Sequence, residues 1–175
     1  EVHYDGMGTR VSQVWLDKPD LLREPRKMRK AWNWCRRVRS KSDRKKALDA
    51  DVIVTTSGML DGGPVIWYIN RLRHDPANAI LLTGYQAEGS GGRMLLEHRR
   101  LPIWGKNTPV ELEVTQFTLS NHAGHAELAN FARECSPKHV ILFHAEAEAA
   151  MALAEELGSE MQVHIPENGK SLVIK

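Results

Sequence analysis

The sequence predicts an α/β fold built around a parallel sheet, and three observations carry that reading. Residues 51–56, DVIVTT, form a continuous run rich in β-branched side chains, the texture of a strand covered on both faces. A second apolar run, Ala79 to Thr83, follows at the distance of one intervening helix. Between them, Val65, Ile66, Ile69 and Leu72 recur on one helical face. Strand, helix, strand, glycine-rich loop and helix, in that order, describe a βαβ unit whose crossover keeps its strands parallel.

The other elements follow in chain order. Val2 to Tyr4 reads as a short strand that runs into the turn Asp5-Gly6-Met7-Gly8. Segment 19–46 reads as helical, because Met28, Ala31, Trp32 and Cys35 recur at i, i+3, i+4 and i+7. Ser57-Gly58 ends the first apolar strand, and Gly62-Gly63-Pro64 opens the next helix, with proline at a favoured early position. Asp75-Pro76 stops that helix, and a further helix starts around Met94 to Glu97. Beyond about Leu101 the texture changes. Val110, Leu112 and Val114 alternate with Glu111 and Glu113, which predicts a strand with one wet face and antiparallel pairing. A helix carrying Leu128 and Phe131, a strand Val140 to Phe143, a helix through Met151 and Leu157, and a strand pair around Val163 and Leu172 to Ile174 complete the expectation. The domain boundary is placed between residues 98 and 99.

Charge is distributed unevenly. The formal net charge is +2, yet residues 23–46 hold 12 Lys/Arg against two acidic residues, which leaves −8 on the rest. Such a cationic block attracts a phosphate backbone through counterion release. It reads either as a solvated helix with Trp32 in the core or as a surface on which Trp32, Trp34, Arg36, Arg37 and Arg39 stack on and pair with a single strand. Cys35 and Cys135 form no C-x-x-C pair, so neither a disulfide framework nor a zinc ribbon is indicated. No apolar run approaches the ~18–20 residues of a membrane span, and the expected setting is the cytoplasm, with no membrane partner. The chain opens on Glu1 inside a strand, which suggests a piece of a longer protein.

The chemistry-bearing stretches are informative jointly. The loop Gly84 to Arg93 lacks the lysine of a phosphate-binding G-x-x-x-x-G-K-[ST] and does not form G-x-G-x-x-G. It reads as a tight turn or as an anion site with Arg93 at hand. Ser57-Gly58 ahead of a helix start is a second place where free N–H groups meet a phosphate, or a plain strand-to-helix turn. Among eight histidines, His122 and His125 have H-x-x-H spacing and His144 comes directly off an apolar strand; the other five are not singled out by their contexts. A zinc cluster of His122, His125 and His144 falls short of the four ligands usual in structural sites.

Four stretches together resemble one family. VIVTTSGMLDGGPV (52–65) is similar to I-I-V-x-S-S-G-M-L-x-G-G-P, LLTGYQAEGSGGRMLLE (81–97) to G-Y-Q-x-x-G-T-L-G-R, LSNHAGHAEL (119–128) to F-S-A-H-A-D-x-x-E-L, and ILFHAE (141–146) to L-V-H-G-E. These are motifs of the β-CASP branch of the metallo-β-lactamase superfamily, RNA-processing nucleases that include archaeal RNase J-like enzymes and the cleavage-and-polyadenylation endonuclease. EVHYDGMG (1–8) adds the strand and turn that precede them in that family. The resemblance departs at Asn121, where alanine is usual, at Gly124, where aspartate is usual, and at Ala145, where glycine is usual. The motif H-x-H-x-D-H is absent; in the family it lies upstream of the stretches matched here.

The resemblance implies a Rossmann-like parallel-sheet β-CASP lobe, residues 1–98, followed by the C-terminal half of a metallo-β-lactamase αββα sandwich, residues 99–175. It implies a zinc-dependent ribonuclease in which two zinc ions, held about 3.5–4 Å apart, activate water and stabilise the developing charge. By the same resemblance His144 is a metal ligand and His122 the catalytic group beside the scissile phosphate. Ser120, Ser57, Gly58 and Arg93 then contact the substrate. The partners implied are single-stranded RNA and the upstream half of the metallo-β-lactamase domain, with a homodimer compatible. The chain alone, lacking the upstream ligands, is expected to be inactive. The rival reading is a non-catalytic RNA-binding or assembly module that uses the 23–46 cation. A Rossmann-like small-molecule binder is retained only because fold does not fix function.

Overall fold

Strand β1, Val2–Asp5, is the centre of a parallel sheet in the computed structural model, which describes residues 1–117, 119 and 122–174. Helix α1, Gly8–Leu16, leaves the Gly6-Met7 turn, and a short 3₁₀ turn at Pro19–Leu21 leads to α2, Pro25–Trp34. The chain then lies beside β1 as β2, Arg36–Arg37, in register His3 to Arg36 and Tyr4 to Arg37. Helix α3, Lys41–Lys46, is capped by the Ser40 hydroxyl, which accepts from the Asp43 N–H. Strand β3, Val52–Thr55, pairs parallel with the other edge of β1, so the strand order is β2-β1-β3.

The 19–46 stretch is therefore not one helix. Pro25 stands at the helix start, where its missing N–H costs nothing, and the chain turns extended at Cys35 so that Arg36 and Arg37 take the open edge of β1. Three of the four stripe residues, Met28, Ala31 and Trp32, do lie in α2; Cys35 is its terminus.

Helix α4, Gly63–Leu72, begins at the expected glycine pair and buries Ile66 and Ile69. Strand β4, Ala79–Leu82, leads through the glycine-rich loop to α5, Gly91–His98, which starts earlier than expected because the Ser90 hydroxyl caps it by accepting from the Arg93 N–H. Strands β5, Arg100–Ile103, and β6, Lys106–Pro109, form an antiparallel hairpin. The alternating stretch that follows corrects the expectation of antiparallel pairing. Its strand, β7, Glu113–Gln116, runs parallel to β4, with Ala79 opposite Glu113, while Val110 and Leu112 are buried ahead of it. The alternation set which side chains are buried and carried no information about the direction of the neighbouring strand.

These elements form one unit, Glu1–Leu119. Its core joins Leu60, Ile66, Ile69, Leu82, Leu95, Leu101, Ile103, Val110 and Leu112, so both the hairpin and the approach to β7 close over α4 and α5. A second unit, Ser120–Lys175, contains α6, His125–Cys135, β8, His139–Ile141, α7, Ala147–Leu157, and β9, Gln162–His164. Strands β8 and β9 are parallel, and Ala129, Leu153 and Leu157 form the buried centre. The expected strand at Leu172 to Ile174 is not formed; those residues are exposed and outside any ladder among the described residues. Both cysteines are free thiols, and no helix is long and apolar enough to cross a membrane.

A buried carboxylate organises the first sheet. Asp5, at the end of β1 and 2% exposed, accepts Arg44 Nε at 2.6 Å and Nη2 at 3.0 Å, the Tyr68 hydroxyl at 2.8 Å and the Gly6 N–H at 2.6 Å. Burial, and then the hydrogen bond to Asp5, push the Tyr68 phenol well above its ordinary value. A raised phenol contributes stability fully present below the unfolded value of about 10 and lost as pH rises toward the folded one. Tyr68→Phe should destabilise the fold by about 1–3 kcal/mol at neutral pH and flatten this alkaline loss, as read by urea unfolding at neutral and strongly alkaline pH.

Close packing at the start of α5 gives a second expectation. A Cβ on residue 91 would lie 2.5 Å from the Leu60 carbonyl oxygen, a backbone atom that cannot swing aside. Gly91→Ala should therefore cost about 1–3 kcal/mol in the same measurement.

Candidate nucleic-acid site

Parallel strands deliver their C-terminal ends to one edge of a sheet, and loops leaving that edge are where open α/β sheets build their sites. Ser57 and Gly58 leave β3 in this way. Ser57 is half-buried with φ +79°, its carbonyl accepts the Leu60 N–H at 2.9 Å, and Gly58 is exposed. The glycine-rich loop leaving β4 lies against the same turn. Gly92 N–H donates to the Met59 carbonyl at 2.7 Å, Gly91 N–H to Asp61 Oδ1 at 2.8 Å, and Ala87 N–H to the Met59 sulfur at 3.4 Å. The structure thus brings the loops of Ser57, Gly58 and Arg93 together. Arg93 is exposed at the first turn of α5, and its Nε donates to Glu97 Oε1 at 2.5 Å.

Gln86, within the glycine-rich loop, is a residue the sequence reading passed over. It is 3% exposed, its amide nitrogen donates to the carbonyls of Gly84 at 3.3 Å and Tyr85 at 3.1 Å, and its oxygen packs where a Cβ of residue 92 would be, 1.6 Å away. Gly92 is thus required by the side chain that shapes the loop. Its signal was the pairing of an uncharged polar residue with glycines on either side of a turn.

In the second unit, His122 is exposed and precedes α6, while Ser120 and Asn121 lie outside the described residues. Gly124 is the cap residue of α6 and offers no side chain to it; Glu127 compensates from within the helix by accepting the Gly124 N–H at 2.7 Å. His125 is engaged elsewhere. Its Nε2 lies 2.6 Å from Glu156 Oε2 on α7, and Arg133 Nη1 donates to the other oxygen of that carboxylate at 3.0 Å. The bond to His125, followed by that to Arg133, holds the Glu156 carboxyl below the usual carboxylate range. The two histidines of H-x-x-H therefore have different settings, and His139 and His164, which the sequence did not single out, are stacked with ring nitrogens 3.1 Å apart.

His144 is exposed three residues beyond β8, its backbone in the left-handed region at φ +59°, with the Phe143 ring tilted beside it at 6.3 Å. Imidazole is a common zinc donor, so this residue fits a metal as one ligand. Among the described residues, no group of three or more His, Cys, Asp or Glu is placed to hold an ion. The side chains present thus fit zinc as contributors to a site and not as its whole.

Comparison with known proteins places these loops in a family. The Beta-Casp domain matches residues 1–95, more than half of the chain. The chain belongs to the β-CASP family of the metallo-β-lactamase superfamily. A second domain, described as the Zn-dependent metallo-hydrolase RNA specificity domain, matches residues 107–166. Among curated relatives, the β-CASP chain is 35% identical over 157 residues to Probable RNase MJ4 of Methanocaldococcus jannaschii, covering 87% of this chain and 37% of that protein. It is 31% identical over 175 residues to RNase aCSPSF2 of Saccharolobus solfataricus, covering 98% of this chain and 35% of that protein. To the transcription termination factor FttA of Methanocaldococcus jannaschii it is 32% identical over 154 residues, 80% of this chain and 24% of that protein. The β-CASP chain thus spans about a third or less of the length of these relatives.

The left-handed backbone at His144 gives a test of strain. A non-glycine residue there costs about 1–2 kcal/mol, so His144→Gly should be more stable than His144→Ala by up to about 1 kcal/mol in urea unfolding.

Proposed function

We propose that this chain supplies the β-CASP lobe and the closing part of the metallo-hydrolase domain of a zinc-dependent ribonuclease. The observation that carries the reading is the placement of His144: an exposed imidazole on a left-handed turn just past a parallel strand, within the stretch matched by the metallo-hydrolase RNA specificity domain. Two of the relatives are named as RNases, which supports RNA as the substrate class and hydrolysis as the reaction.

In this reading His144 holds a zinc ion in company with ligands that the chain itself does not provide. Bound zinc supplies a nucleophilic hydroxide at neutral pH and offsets charge on the phosphoryl oxygens. His122 binds a non-bridging oxygen of the scissile phosphate or hands a proton to the departing 3′-oxygen, a role that an imidazole performs near neutral pH. It stands close before α6, whose N-terminal end favours an anion. Ser120 assists it. Ser57, Gly58 and Arg93 meet the RNA from the two stitched loops, with backbone N–H groups and a guanidinium as donors to phosphate. The domain assignment, β-CASP lobe to residue 98 and metallo-hydrolase part from residue 99, is supported by matches at 1–95 and 107–166. It is a boundary of ancestry, distinct from the packing division after Leu119.

The second unit also leaves apolar side chains in water that suit a partner surface. Phe131, Phe143, Ile141 and Met151 are 66%, 77%, 50% and 57% exposed, in a unit whose sheet has two strands among the described residues. This supports a further segment packed on it, the upstream half of the metallo-β-lactamase domain. The chain alone should give no RNA cleavage with added zinc. A longer protein that includes the upstream domain should cleave RNA in a zinc-dependent manner, and His144→Ala in that protein should lower the rate by at least about 100-fold, measured on a labelled single-stranded substrate. Unchanged cleavage in that variant would sink the assignment.

A further inference from the structure

The cationic segment folds into a hollow far in sequence from the histidines discussed above. Strand β2, the loop after it and α3 enclose about 280 Å³, lined by His3, Arg36, Arg37, Arg39, Asp43 and Lys46. Four of these six side chains are cations and one is an acid, and that acid is already committed. Asp43 Oδ2 accepts the Arg39 N–H at 3.1 Å, and hydrogen bonding from Ser40, then from Arg39, holds its carboxyl below the usual range.

The cations differ in how much of their charge is spent. Arg36 Nε pairs with Glu1 Oε1 at 2.9 Å, which His3 Nε2 also meets at 2.7 Å. Arg37 lies over the Trp32 ring at 4.7 Å and donates to the Trp32 carbonyl at 2.9 Å. Arg39 bonds only through its backbone N–H, so its guanidinium has no hydrogen bond or ion pair among the described residues, and Lys46 meets only the charge of Asp43 without bonding it. His3 lines the same hollow at 5% exposure, and its Nδ1 has no hydrogen-bond partner among the described residues. The excess of cations over acids around the hollow is what favours an anion there, and guanidinium and ammonium groups are the donors that hold a phosphate oxygen.

Trp34 supplies the feature that separates one polyanion from another. It ends α2 two residues before Arg36 and is 71% exposed, an unusual setting for an indole in a segment otherwise rich in charge. An acidic peptide has no use for a flat aromatic face, whereas a nucleobase stacks on it while its phosphate reaches the neighbouring cations.

We propose that this hollow is a phosphate site for single-stranded RNA, with Arg39 and Lys46 as the phosphate contacts and Trp34 as a base platform. It is an accessory contact, carried by the β2 edge of the first sheet and independent of the residues assigned to hydrolysis. The choice of RNA rests on the functional reading above; the anion site rests on the geometry.

The test is binding of a fluorescent single-stranded RNA of roughly 12 nucleotides to the whole chain, by anisotropy across a salt series. Arg39→Gln and Lys46→Gln remove charge without removing a fold contact. Each should lower the slope of log affinity against log salt by about 0.7, and the double variant should bind at least about tenfold more weakly at low salt. Trp34→Ala should weaken binding about 5- to 100-fold at every salt concentration. Lys138→Gln with Lys170→Gln, in the second unit, should leave the slope unchanged. Circular dichroism melts identical to the parent establish that each variant is folded. Absence of RNA binding by the parent, or parent-like slopes in the Arg39 and Lys46 double variant, would overturn the proposal. So would polyglutamate competing as well as RNA while Trp34→Ala has no effect, the outcome expected of an acidic protein partner. The assay reads binding and not cleavage, so its failure leaves the nuclease reading standing, and the reverse holds too.

Discussion

The first sheet depends on a carboxylate out of water. An isolated buried carboxylate is prohibitive unless donors surround it, and Asp5 has an arginine fork, a phenol and a backbone N–H. Each donor comes from a different place in the chain: Arg44 from α3, Tyr68 from α4, Gly6 from the turn that follows. The same carboxylate therefore ties α3, α4 and the turn at Gly6 to the end of β1. Removing any one donor leaves part of the buried carboxylate without a partner, which costs more than the bond itself contributes.

That pin bears on the candidate site through position. Asp5 sits at the C-terminal end of the central parallel strand, the same edge from which Ser57 and Gly58 leave β3. The polar cluster thus underlies the turn at Gly6, where Met7 N–H reaches the Thr56 hydroxyl at 3.1 Å and a Cβ on residue 6 would lie 2.2 Å from that oxygen. Glycine at residue 6, with φ +90°, is needed both for its backbone and for its missing side chain. Order at the loops is in this way imposed from beneath, by the packing of the strand ends.

Much of this was legible in the residues and some was not, for physical reasons. The apolar run 51–56 and the helix after Gly62-Gly63-Pro64 were readable because burial and capping act locally. The direction of β7 was not, since alternation reports faces and says nothing of which strand lies alongside. Residues 36–37 were read as helix because charged side chains between helical stretches carry no period; only the open edge of β1 made them a strand. At the candidate site, the stretches holding Ser57, Gly58, Arg93, His122 and His144 stood out by motif. The bonding of His125 to Glu156, the stacking of His139 on His164 and the burial of Gln86 depend on partners distant in sequence, and no local pattern encodes them.

The hydrogen bonds from Gly91, Gly92 and Ala87 to the turn at 59–61 have a mechanical consequence. Two loops that leave different strands cannot respond separately to anything that presses on one of them. The turn after Ser57 and the first turn of α5, where Arg93 stands, are joined by these bonds as well as by the buried Leu60. The two loops therefore form one preassembled surface, and a ligand that met it would not have to order it first.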